Sequence, residues 1–304
     1  MRYNRRARLN TSQVRDVRGA RIGGRGAALG GGGLGIVGLL VYLLVVYVGG
    51  SGGSAASVLG QLAEPGGPAT ADNSQLRQEC RNGADANQHL ECAVVADINS
   101  IQNFWAAELP RLGTRYVPVK TVWFSGRANT GCGPATSGTG PFYCPADKLV
   151  YIDLSFYNEL KSQFGARGGL FVDAYVLAHE YGHHVQDLLG TEAKVRTREG
   201  PNSDSVRLEL QADCYAGVWA RHATQPEQGR PALITQVTKD DFARALDTAG
   251  RIGDDYIQTH LGSGRVDRSQ FTHGTSAQRE KWLTTGYRTG DPRACDTFGT
   301  NQLG

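Results

Sequence analysis

Apolar and polar positions alternate along the chain in a few clear patterns. Residues 93–109 place Val94, Val95, Ile98, Ile101, Phe104, Trp105 and Leu109 at helical spacing, and Pro110 closes the run. Residues 117–124 (VPVKTVWF) are rich in β-branched and aromatic side chains, and residues 148–156 (KLVYIDLSF) alternate, so both predict strands. Residues 129–144 between them read as a Gly/Pro-rich loop. Helical periodicity returns over 169–189, 205–223, 239–260 and 276–287. A helix, a few strands and then several helices predict an α+β domain, mainly helical with a small sheet.

Ahead of that domain the pattern changes. Residues 34–48 (LGIVGLLVYLLVVYV) form the apolar heart of an uncharged stretch. With its flanks, 27–49, it reaches the roughly 20 residues that a helix needs to cross a bilayer. Residues 1–25 carry eight arginines against one acid, Asp16, a net +7 that leaves −4 for the rest of a chain whose total is +3. A nucleic-acid binder would carry its basic excess on the folded domain, so no nucleic-acid partner is expected. A basic tail before an apolar span predicts one uncleaved transmembrane helix, with the tail cytoplasmic and the remainder outside. A cleaved signal peptide fits less well, because its charged region would be unusually long. Residues 50–75 are rich in Gly, Ser, Ala and Pro and read as a flexible linker. The expected organisation is therefore a basic tail (1–26), a membrane helix (27–49), a linker (50–75) and one domain (76–304).

Six cysteines without a CxxC pair suit an oxidising compartment and disulfides. Cys80–Cys92 and Cys132–Cys144 are the easiest loops to close, which leaves Cys214–Cys295 as a long-range link. Cys214 is the best candidate for a buried free thiol if one remains unpaired.

The candidate chemistry lies in 171–190, where His179-Glu180-Tyr181-Gly182-His183 forms an HExxH motif in a helical setting. Residues four apart share a helix face, so both histidines can address one metal ion. Glu180 sits about 100° around the axis, beside such an ion, where it can take a proton from an activated water. Three of the seven histidines fall within six residues, which a bland core helix does not explain. Downstream, Glu209 and Asp213 share a face of the predicted 205–223 helix among apolar neighbours, and buried carboxylates need partners. Glu209 as third metal ligand, and Asp213 bonded to the free ring nitrogen of a ligand histidine, would supply them. Zinc is the expected ion, with His179, His183 and Glu209 as ligands and a fourth position open, as in catalytic sites. His273 is the leading candidate to stabilise the developing oxyanion, ahead of Tyr181, Tyr215 and Arg279. His184 reads as an outer neighbour of the ligands or a solvent-facing residue.

HEYGHHVQ followed by ELQADCYAGVWA resembles the bacterial putative neutral zinc metallopeptidases, as do residues 140–156, 249–258, 271–282 and the N-terminal NTSQVRDVRG. The resemblance implies a zincin-like fold in which His179 and His183 bind zinc, Glu180 is the catalytic base, Glu209 is the third ligand and Asp213 supports a ligand. It also implies an edge strand above the active-site helix, for which VYIDLSF is the candidate, where a peptide or protein substrate can add by backbone hydrogen bonds. The expectation is a zinc metalloendopeptidase held in the bacterial cytoplasmic membrane by a single N-terminal helix, its N-terminus cytoplasmic and its catalytic domain extracytoplasmic. The competing expectations are a non-catalytic, metallated, membrane-anchored binding protein and a zinc amidase acting on a cell-wall amide.

Overall fold

The computed structural model describes residues 1–18, 71–226 and 231–304. In chain order the helices of four or more residues are Ser74–Glu79 (α1), Gly83–Ala86 (α2), Leu90–Glu108 (α3), Phe156–Ser162 (α4), Leu170–Leu188 (α5), Asp204–His222 (α6), Lys239–Arg251 (α7), Asp254–His260 (α8) and Ser276–Thr289 (α9). The strands are Arg2–Tyr3 (β1), Val14–Asp16 (β2), Thr121–Phe124 (β3), Arg127–Thr130 (β4), Gly133–Thr136 (β5), Phe142–Cys144 (β6), Leu149–Asp153 (β7) and Ile234–Gln236 (β8). This is an α+β domain whose helices outweigh its sheet.

Helix α5 is the axis of the molecule. Every residue from Phe171 to Gln186 is buried, so it packs on all sides and its polar groups must find partners inside the protein. It ends where Gly190 takes a positive φ of 71°, a conformation that favours glycine at a helix terminus. Helix α6 starts at Ser203, whose hydroxyl accepts the Val206 N–H. It lies against α5 where Gly182 faces Ala212, a pair small enough for close approach. Helix α9 then crosses α6 at two glycines. A Cβ on Gly286 would collide with the Cys214 carbonyl, and one on Gly217 with the Leu283 carbonyl.

The main sheet has the order β2-β3-β7-β6. Strands β2, β3 and β7 run parallel, and β6 is antiparallel to β7. The edge strand beside α5 is therefore Phe142–Cys144, not the expected VYIDLSF, which supplies the interior strand β7. That segment is buried at four of its five strand residues, as a strand with neighbours on both sides requires. The expected 129–144 loop holds the β4–β5 hairpin as well as β6. The expected 239–260 helix breaks at Ile252–Gly253. Gly253 passes against the Ser276 backbone too closely for any side chain, and the chain turns there to start α8.

Residues 1–18 correct the expected division of the chain. Instead of forming a separate tail, they supply β1, antiparallel to β8, and β2, parallel to β3. The folded body therefore includes them and does not begin at Leu76; α1 starts at Ser74, inside the expected linker. The membrane helix expected over 27–49 and residues 50–70 of the linker lie outside the described residues. Among the described residues, no helix is long and apolar enough to cross a membrane. Cys80–Cys92, Cys132–Cys144 and Cys214–Cys295 form disulfides, so Cys214 is not a free thiol.

Candidate metal centre

One helical turn of α5 sets His179 and His183 side by side, their Nε2 atoms 3.2 Å apart. Glu209 reaches in from α6, with Oε2 3.1 Å from His179 Nε2 and Oε1 3.5 Å from His183 Nε2. One ligand atom from each of these residues lies within 4.8 Å of the others, and all three side chains are buried.

The outer nitrogens of the two rings show what the inner ones require. His179 Nδ1 is 2.9 Å from Asp213 Oδ1, and an ionised carboxylate can only accept. His183 Nδ1 is 2.8 Å from Gln186 Oε1, while the Gln186 amide nitrogen donates to the Leu208 carbonyl and to Gln211. Both Nδ1 atoms therefore carry the proton, and both Nε2 atoms turn lone pairs toward each other and toward Glu209. Glu209 Oε1 is buried without a hydrogen-bond donor. Acceptors converging in this way fit a cation between them. The 3.2 Å nitrogen separation is close to the roughly 3.3 Å expected when two imidazoles bind one zinc tetrahedrally.

The surrounding charges agree. Burial would raise the Glu209 carboxyl, but His183, His273 and His179 hold it well below its usual range. Burial would likewise raise Asp213, yet Arg279 and His179 hold it at about 2. Arg279 donates through Nε and Nη2 to Asp213 at 2.8 and 3.1 Å, and Tyr175 adds its hydroxyl at 2.7 Å. For His179, burial opposes the charged ring, but Asp213 and Glu209 outweigh it; the acids that would hold a second proton on this ring equally favour a metal cation at its Nε2. The site draws in positive charge.

Glu180 is buried beside this cluster, and burial raises its carboxyl. Its Oε2 accepts the backbone N–H of Tyr143 at 3.0 Å, so edge strand β6 holds the carboxylate in place. His184 braces that strand from below. It lies 3.2 Å from the Tyr143 hydroxyl and bonds the Val117 carbonyl at 2.7 Å, so it is buried rather than solvent-facing.

His179, Glu180, Glu209, His273 and Arg279 line one cavity of about 270 Å³. Its remaining wall is mostly apolar, with Phe156, Phe164, Val176 and Ile252. His273 stands on a loop gathered by one carboxylate: Asp254 Oδ2 accepts the backbone N–H groups of Thr272, His273 and Gly274 at 2.7–2.9 Å. The Thr272 hydroxyl lies 2.7 Å from His273 Nδ1, while buried Nε2 has no partner. Tyr181 and Tyr215 are not brought to the cavity. Tyr181 bonds the Thr121 hydroxyl under the sheet, and Tyr215 packs edge-on against Trp105.

Sequence reasoning missed Gln186, Tyr143 and Asp254. Gln186 was readable, since it stands three residues after His183 on one helix face. Tyr143 acts through its backbone and Asp254 through a loop almost twenty residues away, and neither leaves a pattern in the sequence.

A helix bearing HExxH, faced by a second helix bearing Glu-x-x-x-Asp beneath a small mixed sheet, defines a zincin-like protein. The chain belongs to the family described as putative neutral zinc metallopeptidase, whose model matches residues 1–298. An uncharacterized protein of Escherichia coli K12, YpfJ, is 40% identical over 302 residues, covering 96% of this chain and 97% of its own. An uncharacterized protein of Mycobacterium tuberculosis H37Rv is 47% identical over 229 residues, 74% of this chain and 76% of its own. No solved structure matches the chain significantly.

Proposed function

We propose that this protein is a zinc-dependent metalloendopeptidase with His179, His183 and Glu209 as zinc ligands and Glu180 as general base. The observation that carries the reading is the convergence of two imidazole lone pairs and an undonated Glu209 oxygen beside a carboxylate anchored by an edge strand. A bound zinc ion would polarise the scissile carbonyl and acidify a water molecule. Glu180, held beside the site, would take a proton from the attacking water and return it to the leaving amine, and the upward push of burial on its carboxyl suits both roles. His273 turns its free Nε2 to the oxyanion, and Asp213 keeps His179 in the ligand tautomer. Strand β6 ends the sheet, so an extended peptide can lie along it. A side chain flanking the scissile bond then enters the cavity walled by Phe156, Phe164, Val176 and Ile252. Three disulfides support an extracytoplasmic setting.

The test is peptide-library cleavage by the zinc-loaded full chain and its Glu180→Gln variant, with zinc content measured on both. The expected result is cleavage beside large apolar residues. The variant should lose at least about 100-fold in rate, as removal of a general base does, with zinc content unchanged. Equal rates in the two proteins would remove Glu180 as base. A zinc-loaded protein that cuts no peptide would remove the peptidase reading.

A further inference from the structure

The first eighteen residues carry an inference about topology. Strand β2 lies in register with β3, pairing Val14 with Thr121, Arg15 with Val122 and Asp16 with Trp123. Val14 is 1% exposed. Tyr3 is buried as well, and its hydroxyl donates to Asp97 on α3 at 2.9 Å. The Asn99 amide clamps Asn10 from the same helix, accepting its N–H and donating to its carbonyl. Arg18 forms ion pairs with Asp16 and Glu91 and lies over the Trp123 ring.

The chain also rejoins the fold where it left it. The Asp72 N–H donates to the Asp16 carbonyl at 3.0 Å. The Asn73 side chain donates to the Thr11 and Val14 carbonyls and accepts the Asp16 N–H. The two flanks of residues 19–70 thus meet through direct hydrogen bonds. A segment that crosses a bilayer once leaves its flanks on opposite faces of a hydrocarbon layer about 30 Å thick. That separation and this fold exclude each other.

We propose that the described residues of segments 1–18 and 71–304 lie together on the extracytoplasmic side, so that the arginines of residues 1–18 do not form a cytoplasmic tail. The positive-inside rule counts arginines near a span as cytoplasmic retention signals. Here six of the eight arginines of residues 1–25 belong to the segment that joins the folded body, and Arg18 is paired with Asp16 and Glu91 there. The three disulfides of that body set the common side, because they form outside the reducing cytoplasm. The inference does not depend on peptidase activity.

Two full-length variants test it in intact bacterial cells: Arg6→Cys on the N-terminal segment and Val266→Cys on the main body, both at exposed positions. All six native cysteines are paired, so each variant presents one new thiol. A membrane-impermeant maleimide should label both equally without permeabilisation. Labelling of Val266→Cys alone, or of neither until the membrane is opened, would overturn the proposal. A second measurement reads integration directly. Val14→Asp should lower the melting midpoint of the purified full chain by several degrees, and Tyr3→Phe, which loses only the hydroxyl, by less. Unchanged midpoints in both would also overturn it.

Discussion

Asp213 is where metal binding and stability meet in one side chain. It accepts from His179 Nδ1, from Tyr175 and twice from Arg279, all at buried positions. Asp213→Asn keeps the shape but removes the charge that balances the Arg279 guanidinium. Breaking one side of a buried pair costs about 3–5 kcal/mol. Loss of a ligand's hydrogen-bond partner lowers metal affinity about 10–100-fold. Denaturant unfolding and zinc competition against a chelator should therefore both move in Asp213→Asn, whereas Glu180→Gln leaves zinc affinity in place. Unchanged zinc affinity in Asp213→Asn would separate it from the metal centre. Glu209 and Asp213 were legible because two acids on an apolar helix demand partners. Arg279 was legible only as a cation near the site. Its pairing with Asp213 spans 66 residues and depends on how α9 lies across α6.

That crossing belongs to the element scale. Gly286 on α9 meets the Cys214 carbonyl on α6, and Gly217 on α6 meets the Leu283 carbonyl on α9. The helix axes approach closely only because both positions lack a Cβ. Gly286→Ala forces them apart and should cost about 1–3 kcal/mol, the usual range for overpacking. It should also weaken zinc binding, because Arg279 lies two turns before Gly286 on the same helix. A variant that melts lower yet binds zinc as before would show that the crossing supports the fold alone. Helices α3, α5, α6 and α9 were legible from apolar spacing and capping residues, within a few residues at their ends. Sheet order was not. Strand β7 was recognised as a strand, but its inner position depends on two partner strands, one 29 residues away in the chain (Thr121↔Val150) and one paired from the far side of a turn (Cys144↔Leu149). Local alternation says nothing of such partners, so the edge was assigned to the wrong segment.

At the scale of the whole molecule, the N-terminal segment closes a core built partly from acids. Six arginines in the first eighteen residues disguised two strands as a solvated tail, because the apolar signal there is carried by single residues such as Tyr3 and Val14. Beneath Tyr3, Asp97 on α3 and Asp173 on α5 are both buried, and burial raises both carboxyls. Asp173 rises to about 7, with only Lys161 pulling it down. The unfolded chain releases that proton near pH 4. Between about pH 4 and 7 the folded protein therefore binds more protons than the unfolded one, and raising the pH through this window favours unfolding. The loss from Asp173 amounts to a few kcal/mol at most, since a tenfold change in proton affinity is worth about 1.4 kcal/mol. Asp173→Asn cannot ionise and escapes it. Its unfolding free energy should gain on that of the unaltered protein step by step from pH 4.5 to 7.5, then run parallel above pH 8. Zinc release at low pH affects both proteins alike and cancels in the difference. A gap that stays constant across the window would mean that Asp173 is already ionised in the folded state, and that the core under the N-terminal strand holds its charge by pairing rather than by protonation.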